Sequence, residues 1–270
     1  MTDRETTRDL LVRYLTQRNE LGQREWFLEE STATEFLESL STHSEKTTDP
    51  AVGPRASDAP AARRPLEVVE VAGAAAESDS FEALRSQVLS CTLCRLSEGR
   101  NTVVFGEGDP NADLLVVGEA PGYEEDRSGR PFVGPAGQLL DKMLAAVGFV
   151  RGEVFICNVL KCRPPKNRDP VADEVAACRP YLRKQVEFIR PKAICAFGRF
   201  AAQTLLTTES SLGRLRGATH AFMGIPVVVT YHPAALLRNA QWKRPAWEDL
   251  KLLRRVYDDA GGRATGGEHA

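Results

Sequence analysis

The cysteines carry the most specialised chemistry in this chain, and their surroundings divide them into two kinds. Cys157 and Cys195 lie in the apolar stretches FICNV and AICAF, which predicts buried thiols. The other four are candidate thiolate ligands: Cys91, Cys94, Cys162 and Cys178. The first two form a C-x-x-C pair, a spacing that redox motifs, zinc sites and iron–sulfur proteins share. Four thiolates complete a tetrahedral set for zinc or for an iron–sulfur cluster, and the spacing alone leaves both open.

A second group of chemically capable residues lies in the stretch GEAPGYEEDRSGRPFVGPAGQLL, residues 118–140. Its glycines allow the backbone to turn tightly or to approach a ligand closely. Its carboxylates could activate water or stabilise positive charge, although a solvated acidic loop is an equal alternative for Glu124 and Asp126. Phe132, between Pro131 and Val133, is by residue type more typical of a core than of a stacking surface.

Two further polar side chains follow apolar runs. Asn158, in EVFICNVLK, carries a donor and an acceptor on one amide, which suits a carbonyl next to an N–H group. His232 ends the run IPVVVTYH and precedes a proline-fixed loop. The tip of that loop, Leu236, Leu237 and Arg238, is unusually apolar for a turn, but it suits a wedge inserted between DNA bases.

The elements that must position these residues are four short apolar runs, which predict buried strands at residues 113–119, 153–161, 192–198 and 225–232. Helical segments alternate with them: AGQLLDKMLAAVGF, ADEVAACRPYLRKQVEFI, RFAAQTLL and PAWEDLKLLRRVYDD. Such alternation with near-continuous apolar strands predicts an open α/β fold with a largely parallel sheet. In this class of fold the site lies beyond the carboxyl ends of the strands.

The N-terminal part of the chain differs from the rest in composition. Residues 1–40 have helical spacing and predict a short helical extension, whereas residues 41–80 are rich in Ala, Pro, Ser and Thr and predict a disordered linker. The folded body is expected at 81–270. Residues 1–80 hold 9 Lys and Arg against 16 Asp and Glu, and the remainder hold 26 against 21. A mildly basic body is compatible with a polyanionic partner.

The bulk properties narrow the class of protein. The chain of 270 residues is 42% hydrophobic and 27% charged, as expected of a globular protein. The N-terminus has charges of both signs and no apolar run, so no signal peptide is indicated. No segment approaches the ~18 apolar residues that span a membrane. We therefore expect a cytoplasmic protein with no membrane partner, in which cysteines serve as ligands or buried thiols.

Taken together, these blocks resemble the iron–sulfur (type-4) uracil-DNA glycosylases. The resemblance rests on GEAPGYEEDRSGRPFVGPAGQLL, on NVLKCRPPKNRDP with the cysteine that follows it, on TYHPAALLRN, and on CTLCRL ahead of the first strand. Four blocks in the family's order make the match specific, and it covers about residues 81–258. It implies a three-layer α/β/α architecture with a mainly parallel four-stranded central sheet.

The resemblance also implies roles for the site residues. Phe132 matches the aromatic residue that stacks on an extruded uracil, and Asn158 matches the amide that reads the Watson–Crick edge of this base. His232 matches the histidine placed against a uracil carbonyl. Glu119 and Glu125 match carboxylates that line the pocket, and the division of labour between them stays open. Gly122 falls where the backbone must approach the base.

For the cysteines the resemblance favours a 4Fe-4S cluster over zinc, with four ligands: Cys91, Cys94, Cys162 and Cys178. The cluster would be structural and would hold the loop of Cys162 and its basic neighbours against DNA phosphates. Those neighbours are Lys161, Arg163, Lys166 and Arg168. The expected DNA contacts are Lys166 and the loop tip described above.

The function implied is hydrolysis of the N-glycosidic bond of deoxyuridine, with release of uracil and initiation of base-excision repair. Uracil-containing DNA, single- or double-stranded, is the expected partner of a monomeric enzyme. Two alternatives remain: a glycosylase that also removes other deaminated bases, and a non-catalytic iron–sulfur module that binds nucleic acid. The presence of Glu119, Phe132, Asn158 and His232 argues against the second alternative.

Overall fold

The centre of the structure is a six-stranded sheet. The computed structural model describes residues 78–263, so the predicted N-terminal extension and nearly all of the linker lie outside the described residues. The strands are β1 (Glu107–Gly108), β2 (Leu114–Gly118), β3 (Phe155–Asn158), β4 (Ala193–Phe197), β5 (Thr219–Phe222) and β6 (Ile225–Thr230). Their order across the sheet is β1-β3-β2-β4-β6-β5.

The four predicted strands are the parallel centre of this sheet. β2 pairs in parallel with β3 and β4, and β4 pairs in parallel with β6. The expected count of four strands is corrected by β1 and β5, which pair antiparallel at the two edges. β1 has only two residues, and β5 alternates between exposed and partly buried positions before its last residue. Neither carries the continuous apolar run by which the central strands are recognised.

Helices cover both faces of the sheet. They are α1 (Phe81–Leu89), α2 (Leu96–Gly99), α3 (Tyr123–Ser128), α4 (Pro135–Ala145), α5 (Ala172–Ile189), α6 (Arg199–Leu206), α7 (Leu212–Leu215), α8 (Pro233–Arg238) and α9 (Lys243–Asp259). Short 3₁₀ turns occupy Arg151–Glu153, Pro165–Asn167 and Ala240–Trp242. The segments predicted as helices from their periodicity correspond to α4, α5, α6 and α9. None of the described helices is long and apolar enough to span a bilayer.

Two cores, one on each face of the sheet, produce the three-layer α/β/α architecture. Alternate residues of a strand point to opposite faces, and β2 follows this rule. Leu115 and Val117 pack into the core formed with α1, α5 and α6. Leu114 and Val116 pack into the core formed with α4 and α9. Because both faces are covered, every residue of β2 is buried.

A buried ion pair fixes α9 against the end of β6. Arg216 Nε donates to Asp249 Oδ2 at 2.7 Å, and Thr230 Oγ1 donates to the same oxygen at 2.8 Å. Arg216 Nη2 also donates to the carbonyl of Pro245 at 2.7 Å. The carboxylate and the guanidinium are thus both satisfied by partners, as buried charges must be.

The same arginine supports the loop that leaves β6. Its guanidinium carbon lies 4.1 Å from the ring centroid of Tyr231. The Tyr231 ring in turn stacks on Trp242, with centroids 5.0 Å apart and an interplanar angle of 12°. Since Tyr231 directly precedes His232, this stack supports the position of the histidine backbone.

Replacing Arg216 with Ala should destabilise the fold by about 3 kcal/mol, because Asp249 would remain buried without its partner. Urea unfolding measures the loss. The control is Lys251→Ala, which removes an exposed pair with Glu248 and should cost less than about 1 kcal/mol. Equal stability of the two variants would contradict a supporting role for the buried pair.

Candidate active site

The carboxyl ends of β2 and β3 bring the first part of the site together. The parallel register pairs Gly118 with Asn158. Pairing continues beyond the sheet, since Val159 N donates to the carbonyl of Gly118 and Leu160 N to that of Glu119, both at 3.0 Å. A side chain at position 118 would collide with Asn158 Oδ1 and would lie 2.5 Å from Phe132 Cζ. Only glycine therefore lets the amide and the aromatic ring approach each other at this strand end.

Asn158 provides the clearest sign of a ligand site. It is 2% exposed, and its Oδ1 is a buried atom with no hydrogen-bond partner among the described residues. Leaving a buried acceptor unpaired costs about 1–3 kcal/mol, so such atoms in native proteins need an explanation. A ligand with an N–H group directed at Oδ1 would supply the missing partner.

His232 lies two residues beyond the end of β6, where it caps α8. Its Nδ1 accepts a hydrogen bond from Ala234 N at 3.2 Å, so the proton of the neutral ring is on Nε2. The pKa of His232 is lowered to about 4, chiefly by burial and also by the positive charge of Arg238, against the opposing effect of Glu125. At neutral pH this residue is therefore an uncharged N–H donor.

The ring of Phe132 lies near both of these polar side chains. Its ring centroid is 5.4 Å from that of His232, with an interplanar angle of 30°. Its φ of 51° is in the left-handed region, which is strained for a bulky residue. Arg151 donates to the carbonyls of Pro131 at 2.7 Å and Phe132 at 3.3 Å, and a side chain at Gly137 would collide with the Phe132 carbonyl. The aromatic ring is thus held in place by its backbone environment.

Glu119, directly after β2, is a carboxylate with altered acidity. Its pKa is raised to about 7, chiefly by burial and then by the negative charge of Asp169, against the opposing effect of Arg199. A carboxylate that titrates near neutrality can act as a base or as an ionised stabiliser of positive charge.

The carboxylate of Glu125, unlike that of Glu119, accepts hydrogen bonds from three backbone amides. Oε1 accepts from Val133 N at 2.9 Å and Gly134 N at 3.1 Å, and Oε2 accepts from Gly122 N at 3.1 Å. These bonds join the beginning of α3 to the beginning of α4. The geometry favours a role for Glu125 in holding the loop of Gly122 and Phe132 over direct action on water.

The expected DNA contacts separate into exposed and buried residues. Leu237 is 52% exposed, and Arg238 and Lys166 are also exposed. Leu236 is only 2% exposed and packs in the same core as Phe132, which corrects the expectation of a two-leucine tip. The helix α8 directs one leucine inward and the next outward, a difference that an apolar pair in sequence does not reveal.

Two of the basic residues expected near phosphates point elsewhere. Lys161 is buried, and its Nζ donates to the carbonyl of Asn158 and to Gln185 Oε1, each at 2.6 Å. Arg168 pairs with Glu174, with Nη1 2.9 Å from Oε2. Arg163 lies with its guanidinium carbon 5.1 Å from the ring centroid of Tyr123.

The four candidate ligand cysteines surround one cavity, and Cys157 and Cys195 are buried thiols as predicted. The cavity is lined by Cys91, Cys94, Cys162 and Cys178, together with Leu93, Arg100, Lys161 and Tyr181 among others. Arg100 Nη1 donates to Cys162 Sγ at 3.2 Å, and its Nη2 donates to the carbonyl of Cys91 at 2.7 Å. Within the described residues, no three His, Cys, Asp or Glu side chains form a group that could hold a single metal ion.

Sequence reasoning did not identify Gly118 or Arg100. The glycine belongs to a glycine-rich block, which signals a close approach without saying which position requires it. Arg100 follows the C-x-x-C pair at a distance that matches no motif. Its contact with Cys162 depends on the fold.

Replacing Gly118 with Ala should reduce any activity of the site at least about tenfold, because the new methyl group would displace Asn158 or Phe132 by an amount that catalysis does not tolerate. The control is Gly152→Ala, whose added methyl would have no neighbour within 4 Å. Steady-state activity and thermal unfolding should be compared for both variants. Full activity of Gly118→Ala would contradict the close approach of these side chains.

Comparison with known proteins agrees with this geometry. The model of the uracil DNA glycosylase superfamily matches residues 105–251. A type-4 uracil-DNA glycosylase of Sulfurisphaera tokodaii is 44% identical over 187 residues, covering 66% of this chain and 85% of the relative. Those of Archaeoglobus fulgidus and Thermotoga maritima are each 42% identical, covering 65% and 67% of this chain and 92% and 96% of the relatives. The chain therefore belongs to the uracil DNA glycosylase superfamily and, within it, to the type-4 uracil-DNA glycosylases.

Proposed function

We propose that this protein hydrolyses the N-glycosidic bond of deoxyuridine in DNA, releases free uracil and thereby starts base-excision repair. The observation that carries the proposal is the buried, unpaired Oδ1 of Asn158. Uracil has an N–H group between two carbonyls, and an amide side chain offers the matching acceptor and donor. Membership of the family and the neighbouring histidine support the same substrate.

Recognition begins with the base outside the helix. A base within a duplex cannot reach a buried amide, so the nucleotide is flipped out at a cost of a few kcal/mol. Uracil N3–H then donates to Asn158 Oδ1, and the amide of Asn158 donates to uracil O4. Cytosine would present an amino donor at position 4 and no proton at N3. In this orientation of the Asn158 amide both hydrogen bonds would then be lost.

His232 acts where negative charge develops. As the C1′–N1 bond breaks, its electron pair leaves with the base, and part of the charge reaches uracil O2. The Nε2–H group of His232 can donate to that oxygen, because Nδ1 is already occupied by Ala234 N. A preorganised donor in a water-poor site stabilises such a charge strongly.

Glu119 acts on the sugar side of the reaction. The departing base leaves an oxocarbenium-like sugar, which a nearby carboxylate stabilises. Water adds to C1′ and gives up a proton, for which ionised Glu119 is the acceptor. Glu125 positions the loop of Gly122 and Phe132 through its three backbone hydrogen bonds.

DNA is held by residues around the pocket. Leu237, exposed at the end of α8, fills the space that the flipped nucleotide vacates, as apolar wedges do between bases. Arg238 follows it, and Lys166 lies exposed on the loop after β3. Both lysine and arginine side chains suit phosphate contacts. We expect a monomer to suffice for these contacts.

The cysteine cavity supports a 4Fe-4S cluster. Four thiols around one cavity, with Arg100 donating to the sulfur of Cys162, match the sulfur ligands and hydrogen bonds that such clusters require. When bound, the cluster would supply rigid cross-links between the α1–α2 region, the loop after β3, and α5. A cytoplasmic location, where a reducing environment keeps cysteines available as ligands, is part of this proposal.

The experiment that tests this function is base release by cluster-loaded protein from matched oligonucleotides containing uracil, hypoxanthine or thymine. Uracil alone, or uracil far ahead of the others, is the expected product. Comparable release of hypoxanthine would favour a broader deaminated-base glycosylase. No release of any base by loaded protein would contradict an enzymatic role.

The pH dependence of uracil release should report Glu119. Its pKa of about 7 means that the carboxylate is protonated below that pH and ionised above it, so the single-turnover rate should rise through about pH 7 to a plateau. Glu119→Gln should be at least about 100-fold slower and should lose this rise. The matched control is Glu124→Gln, an exposed neighbour that should keep the profile. A rise that persists unchanged in Glu119→Gln would assign it to another group.

A further inference from the structure

Lys161 is a buried cation between the uracil-reading residue and the cysteine cavity. It is 2% exposed and lies three residues after Asn158 and directly before Cys162. Burying an ammonium group is costly unless acceptors and negative charge surround it. The surroundings of Lys161 therefore indicate what the residue does.

On one side, Lys161 holds the backbone of the base reader. Its Nζ donates to the carbonyl of Asn158 at 2.6 Å and to Gln185 Oε1 at 2.6 Å. Gln185 Nε2 donates to the carbonyl of Phe105 at 2.8 Å, so the orientation of this amide is fixed with its oxygen toward the lysine. Lys161 thus ties the end of β3 to α5 immediately behind Asn158.

On the other side, Lys161 contributes to the wall of the cysteine cavity. Burial raises the pKa of Cys178 to about 12, and the charge of Lys161 opposes that effect. Arg100, the other cation of this wall, donates to Cys162 Sγ. Because metal-bound cysteines are thiolates, a loaded site would provide the negative charge that a buried lysine requires.

We propose that Lys161 is a positioning residue that couples the cluster site to uracil recognition, by holding the Asn158 backbone with its ammonium group while that charge faces the cluster thiolates. This inference rests on the proposed function. The thiolate charge that stabilises Lys161 would thereby also stabilise the position of the Asn158 amide. Through this lysine the cluster would affect the reaction. Phosphate binding, the role expected of Lys161 from sequence, is not part of it.

The first test is a double-mutant cycle in single-turnover uracil release by cluster-loaded protein. Lys161→Met removes the donor and the charge while keeping an unbranched side chain only one atom shorter, and should slow release about tenfold or more. In an Asn158→Ala background the same change should cost less than about twofold, because the amide side chain whose position Lys161 sets through the backbone is gone. The control is Lys142→Met, at an exposed position of α4, which should leave the rate unchanged. An equal loss in both backgrounds would overturn the coupling to Asn158.

The second test does not depend on activity. Removing a positive charge beside the cluster disfavours its reduced form, so Lys161→Met should shift the cluster midpoint potential to a more negative value than in wild type and in Lys142→Met. Voltammetry at equal iron and sulfide content measures it. An unchanged or more positive potential would contradict the proposal that the charge of Lys161 is directed toward the cluster.

If Lys161→Met does not fold, Lys161→Gln gives the same comparison, because it also lacks the charge but keeps a donor. Lack of uracil release by wild type would count against the proposed function and leave this potential test valid.

Discussion

A buried hydrogen-bond acceptor without a partner is the constraint around which this molecule is organised. Asn158 Oδ1 is withdrawn from water at the carboxyl end of β3, and no described residue satisfies it. The cost of such an atom is recovered only when a ligand supplies a donor. The neighbouring groups suit one ligand class, because the aromatic ring of Phe132 lies beside this amide and the neutral donor His232 lies beside that ring.

Parallel strand pairing explains how residues far apart in sequence reach this pocket. Because β2, β3, β4 and β6 run parallel, the carboxyl ends of β2, β3 and β6 lie on the same side of the sheet. Glu119, Asn158 and His232 are at or just beyond these strand ends. The loops add restraint, since Glu125 binds three backbone amides and Arg151 binds the carbonyls beside Phe132. The site is therefore preorganised before DNA binds, which electrostatic stabilisation of a departing base requires.

Much of this arrangement follows from sequence, and the exceptions have physical reasons. The central strands and helices α5 and α6 were predictable because burial on both faces gives apolar runs and because helical periodicity is strong. The edge strands were not, since β1 is two residues long. The direction of a side chain could not be predicted from the sequence either. Leu236 and Lys161 are buried, whereas Leu237 and Lys166, residues of the same types in the same segments, are exposed. The backbone hydrogen bonds of Glu125 could not be predicted either, because two of its three partners, Val133 and Gly134, lie eight and nine positions later in the chain.

Binding of free uracil and 3-methyluracil to wild type and to Asn158→Ala tests the central claim most directly. The methyl group removes the N3–H donor that Asn158 Oδ1 is proposed to accept. In wild type, 3-methyluracil should bind at least about tenfold more weakly than uracil, as expected for one unpaired buried acceptor, whereas Asn158→Ala should bind both equally weakly. Equal affinity of wild type for the two bases would contradict the assignment of Asn158 as the reader of uracil.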